Sequence, residues 1–103
     1  MEIQEITDKV HRVADRYSKE FGVEYASDWF LLKLQEELGE MTRAHLILTN
    51  RTRRKVSSEQ EGKTALAEEI ADVFAYVLLF AKQMNIDVED AITKKWFPYL
   101  ENK

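Results

Sequence analysis

The chain has no cysteine, one proline and three glycines among its 103 residues. Without cysteine it has neither disulfides nor thiolate metal ligands. So few glycines and prolines leave little to break the backbone, and the apolar periodicity is helical from end to end. Long hydrophobic runs are missing too. The longest, Val73 to Ala81, falls far short of the roughly 20 residues that span a bilayer. The acidic start Met1-Glu2-Ile3-Gln4-Glu5 lacks the apolar core of a secretory signal. Positive charge is in deficit, with 15 Lys and Arg against 19 Asp and Glu, net −4. That balance argues against a general nucleic-acid binder, although a local basic patch remains available. A soluble, cytoplasmic protein without a membrane or nucleic-acid polymer as partner is the expectation.

What is present is a globular mixture, 45% hydrophobic and 33% charged. The length predicts a single domain over residues 1–103. A chain this short buries a thin core, so self-association into a dimer or tetramer is expected.

In chain order, Ile3, Ile6, Val10, Val13 (or Ala14) and Tyr17 recur at helical spacing and predict a first helix over 2–20, closed by Gly22 in the left-handed conformation. Ser27 is the expected N-cap of a second helix, with Asp28 in its first turn. That helix runs to about residue 50 on the stripe Leu31, Leu34, Leu38, Met41, His45 and Leu48. Polar residues 50–58 form a loop. Ser58-Glu59-Gln60-Glu61 reads as a capping box opening a third helix over 59–84. Leu66, Ile70, Val73, Val77 and Phe80 line one face of that helix, and Phe74, Leu78 and Ala81 the next. Asp87 caps a fourth helix that Pro98 ends or bends. The fold class is all-α and four-helix-bundle-like, with helices two and three antiparallel.

Two acidic stretches stand out from this scaffold: Glu36-Glu37-Leu38-Gly39-Glu40 and Glu68-Glu69-Ile70-Ala71-Asp72. Each puts two carboxylates three residues apart, hence on one helix face: Glu37 with Glu40, and Glu69 with Asp72. For any single Glu, a solvated helix-former is the better account. For two pairs with matching geometry beside apolar stripes, a shared cation is better, since acids on an inward-tending face are costly alone. An ion-pair network lacks basic partners at i+4, where Glu37 meets Met41 and Asp72 meets Tyr76. The Glu-x-x-His of di-iron bundles is absent, because Arg43 and Ala75 stand at those positions. An all-oxygen donor set favours Mg²⁺ or Mn²⁺, and Mg²⁺ so held commonly also meets phosphate oxygens. Gly39, between two acids, permits close approach of a neighbouring helix or substrate at some cost to the helix.

The tandem motif resembles the E-E-x-x-E … E-x-x-D signature of the MazG-like, all-α nucleoside triphosphate pyrophosphohydrolases. The likeness covers helices two and three closely, about half the chain. It implies Glu37, Glu40, Glu69 and Asp72 as metal ligands, and Glu36 as a further ligand or the base that positions the attacking water. It implies hydrolysis of a nucleoside triphosphate to monophosphate and pyrophosphate, in nucleotide-pool housekeeping. The same superfamily holds dimeric dUTPases and phosphoribosyl-ATP pyrophosphohydrolases, so chemistry is better identified than substrate. A non-enzymatic helical interaction module is the alternative of another class.

Other residues are weighed against that substrate. Arg51, Arg53, Arg54 and Lys55 are commonly a solvated loop, and alternatively an arm reaching toward phosphates. Lys94 and Lys95 are similar candidates by the resemblance. Trp29 is core or interface, or stacks on a base. His11 and His45 are set aside as surface or satisfied core histidines.

Overall fold

The computed structural model describes residues 1–26 and 28–101. The expected helices are all there: α1 (Ile3–Phe21), α2 (Trp29–Leu48), α3 (Glu59–Gln83) and α4 (Val88–Trp96), followed by a 3₁₀ turn at Phe97–Leu100. No strand occurs among the described residues. Among the described residues no helix is long and apolar enough to cross a membrane.

Local chemistry accounts for the helix ends. Gly22 takes φ 67° and its amide donates to the Ser18 carbonyl, closing α1. Ser27, the expected N-cap of α2, lies outside the described residues. Asp28 occupies the N-cap position with no side-chain capping bond. Asn50 and Asn85 end α2 and α3 at φ 60° and 59°. Beyond them the amides of Arg51 and Ile86 reach back to the carbonyls of Leu46 and Ala81 at 2.9 and 2.8 Å. Asparagine tolerates this left-handed geometry better than other non-glycine residues. The Ser58 hydroxyl accepts from the Glu61 amide at 3.0 Å, half of the expected capping box. The Glu61 carboxylate accepts from Ser57 instead of reaching back to Ser58. Asp87 caps α4 through the Asp90 amide at 3.0 Å. Pro98 sits at the start of the 3₁₀ turn, where it needs no amide proton.

The chain divides into two compact units, Met1–Ser27 with Leu78–Lys103, and Asp28–Val77. In the first, Leu78, Leu79 and Ala81 on the last turns of α3 are buried. Ile3, Ile6, Val10 and Ala14 make the half-buried stripe of α1. The Tyr25 hydroxyl donates to the Ala14 carbonyl at 2.9 Å, and Lys82 pairs with Asp8 at 3.6 Å.

The second unit is a helical hairpin of α2 and most of α3. Its register follows from three meetings. Phe30, near the start of α2, lies 6.3 Å from Tyr76, ring centre to ring centre. Glu37 meets Glu69 and Asp72 at mid-length. Leu48, ending α2, lies so close to Gly62 that an added Cβ there would stand 2.7 Å from its Cδ1. Rising numbers on α2 therefore meet falling numbers on α3, so the two helices run antiparallel. Phe30 and Ile47 are the buried apolar anchors of this hairpin.

Candidate metal and phosphate site

The antiparallel register decides which acids meet. Glu37 projects from mid-α2, while Glu69 and Asp72 stand one turn apart on α3. Each offers a carboxylate oxygen, and these atoms all lie within 4.8 Å of one another. Like charges about 4 Å apart repel by about 1 kcal/mol in water and about 4 kcal/mol at the effective dielectric near a protein surface. Glu37 registers the strain. Its pKa is raised, by burial first and then by Asp72 and Glu69, with Lys33 partly opposing them.

Glu69 carries the other mark of an unmet need. Its Oε2 is buried with no hydrogen-bond partner. An unsatisfied buried acceptor costs about 1–3 kcal/mol, more when charged. A cation among the three carboxylates would answer both the repulsion and the orphaned oxygen. Oxygen donors alone suit a hard divalent ion of the Mg²⁺ or Mn²⁺ kind. The donor set therefore fits the implied metal.

Glu40, one turn beyond Glu37, does not join the three. It lines a neighbouring cavity of about 210 Å³ together with Glu69, Arg43 and Arg54. Glu36 is exposed and accepts a hydrogen bond from Lys33. Lys33 is half-buried, and its pKa is raised chiefly by that bond. Tyr76, one turn after Asp72, has its hydroxyl pKa raised by burial, with Lys33 opposing and Glu37, Asp72 and Glu36 adding.

Two basic residues here are absent from the sequence-based candidates. Lys33 stands three residues before Glu36 and four before Glu37, on the N-terminal side where an i+4 search does not look. Arg43 stands three residues after Glu40, so helical spacing already put it on the acidic face. Of the basic loop, Arg54 reaches the cavity, and Arg51 Nε donates to the Thr49 hydroxyl at 3.0 Å. Arg53 is exposed, and Trp29 opens α2. Lys94 and Lys95 belong to α4 in the first unit, where Lys94 pairs with Asp90 at 2.9 Å.

Described residues without a strand, and three carboxylates converging on an antiparallel helical hairpin, define a class: helical proteins with a carboxylate cluster that could hold a cation. Comparison with family models gives the class its name. The MazG nucleotide pyrophosphohydrolase domain matches residues 26–96, and the chain belongs to that family. Comparisons with curated proteins and with solved structures find no match.

Proposed function

We propose that this protein is a divalent-cation-dependent nucleoside triphosphate pyrophosphohydrolase that converts (d)NTP to (d)NMP and pyrophosphate in nucleotide-pool housekeeping. The observation that carries the reading is the Glu37, Glu69 and Asp72 cluster, whose Glu69 Oε2 is buried and unpartnered, in a chain matched by this family. Glu37, Glu69 and Asp72 would hold the ion, Mg²⁺ with Mn²⁺ as substitute, while Glu40 borders the adjoining cavity. When bound, the ion offsets polyphosphate charge, orients it and acidifies a water.

The chain's own groups do the rest. Glu36 accepts the proton of the attacking water, held in place by its hydrogen bond from Lys33. Water oxygen bonds to the α-phosphorus, the bond from that phosphorus to the bridging oxygen breaks, and pyrophosphate leaves. Arg51, Arg53 and Arg54 draw the phosphates in, and Trp29 stacks on the base. Residues 1–103 act as one MazG-like domain, in keeping with a matched stretch that takes in parts of both compact units. The protein works on free nucleotides in the cytoplasm, as a dimer or tetramer, with no membrane or nucleic-acid polymer as partner.

The test is pyrophosphate release from a panel of nucleoside triphosphates and phosphoribosyl-ATP with Mg²⁺. Glu37→Gln and Asp72→Asn should each lower kcat/KM by a hundredfold or more, about 2.7 kcal/mol. Full activity in either variant, or activity undiminished by EDTA, would overturn the assignment.

A further inference from the structure

The cavity next to the carboxylate cluster is lined by side chains of both charge signs. Glu40 and Glu69 line it, the latter with its buried, unpartnered oxygen. Arg43, one turn beyond Glu40 on α2, and Arg54, from the loop that follows, line it too. Both arginines are exposed. Three carboxylates border the same space, and Glu61 among them is taken up by Ser57. All six ion pairs within 4.0 Å found among the described residues use lysine, so neither guanidinium is spent on a carboxylate. Cations and acids that share a cavity without pairing leave a gap for something that carries both signs: a metal-bound anion.

Size narrows the choice. Pockets that enclose a drug-sized ligand start at about 300 Å³, and this cavity holds about 210 Å³. It is too small for a whole nucleotide and adequate for a short chain of phosphates. Guanidinium groups suit that ligand, since each presents paired donors to two phosphate oxygens at once.

We infer that Arg43 and Arg54 form a clamp for the leaving pyrophosphate, the β- and γ-phosphates of the substrate, with Glu69 shared between this subsite and the metal cluster. The inference rests on the pyrophosphohydrolase reading above and assigns a subsite within it. The base and sugar then lie outside this cavity.

The experiment is calorimetric titration of the full chain with inorganic pyrophosphate, with and without Mg²⁺, alongside product-inhibition kinetics. Wild type should bind pyrophosphate better with Mg²⁺ than without. Arg43→Ala and Arg54→Ala should each weaken that binding tenfold or more, and relieve pyrophosphate inhibition in proportion. Arg43→Lys should restore only part of the affinity, because a single ammonium cannot replace the paired donors. Inhibition by nucleoside monophosphate should be unchanged in both alanine variants. Lys63→Ala, which removes an exposed lysine paired only with Glu59 on the helix surface, should bind as wild type does. Unchanged pyrophosphate affinity in both arginine variants, or a loss confined to monophosphate, would overturn the clamp. A wild type that releases pyrophosphate from nucleotides while the variants bind it normally sinks the clamp and spares the enzyme. A wild type that hydrolyses no nucleotide and binds no pyrophosphate sinks both.

Discussion

Glu37 is held against its own charge by burial and by the acids facing it. Burial, Asp72 and Glu69 raise its pKa above the ordinary glutamate value of 4.5. A group with a raised folded pKa contributes stability that is full below the unfolded value and is lost as pH rises through the folded one. Ionised Glu37 therefore weakens the folded state at neutral pH. In EDTA, Glu37→Gln should raise the melting temperature at pH 7, and the gain should shrink toward zero near pH 4. Melts with a larger gain at pH 4 would contradict the sign. Mg²⁺ should reverse the order, because binding at a hundredfold excess over Kd stabilises the native state by about 2.7 kcal/mol. That stabilisation should go to the wild type and largely bypass the glutamine variant.

At the scale of the helix, Gly39 and Gly62 separate cleanly. The reason offered for Gly39 from sequence, close approach of a neighbour, is not met within the chain: an added Cβ finds nothing within 4 Å. Gly62 is the one that needs to be small, since it is buried and an added Cβ would stand 2.7 Å from Leu48 Cδ1. Glycine inside a helix is less favourable than alanine by about 1 kcal/mol. Gly39→Ala should therefore stabilise α2 by about that amount, raising the melting temperature by about 4–8 °C for a domain of this size. A fall in stability would show that a second chain or a substrate presses on that position.

For the whole molecule, the outstanding feature is how much apolar surface the chain leaves in water. Within the Asp28–Val77 unit alone, Leu31, Leu38, Ile70 and Phe74 are each at least 42% exposed. Leu31 and Leu38 are two turns apart on α2, and Ile70 and Phe74 one turn apart on α3, so on each helix the pair shares a side. Apolar faces of this kind on a small chain are what self-association covers. Size-exclusion chromatography with light scattering should give a dimer or tetramer of the 12.1 kDa chain. Phe74→Glu should shift that mass toward the monomer. A wild-type monomer at micromolar concentration would count against assembly.

The sequence by itself determined the helices and their ends, because those depend on neighbours a few residues apart. Apolar spacing, Gly22, the Ser58 hydroxyl and Asp87 are all local signals, and the last three each did at a helix end what its chemistry predicts. It also carried the acidic motif, since i and i+3 share a helix face whatever the fold. What helical spacing could not decide was which turn of one helix faces which turn of the other. That register, set by Phe30 against Tyr76 and Leu48 against Gly62, brings Glu37 to Glu69 and Asp72 and leaves Glu40 facing the next cavity. Only tertiary structure could show Arg43 and Arg54 sharing a space with Glu69. Charges from a helix and a loop meet there through chain reversal, and no local periodicity encodes that distance.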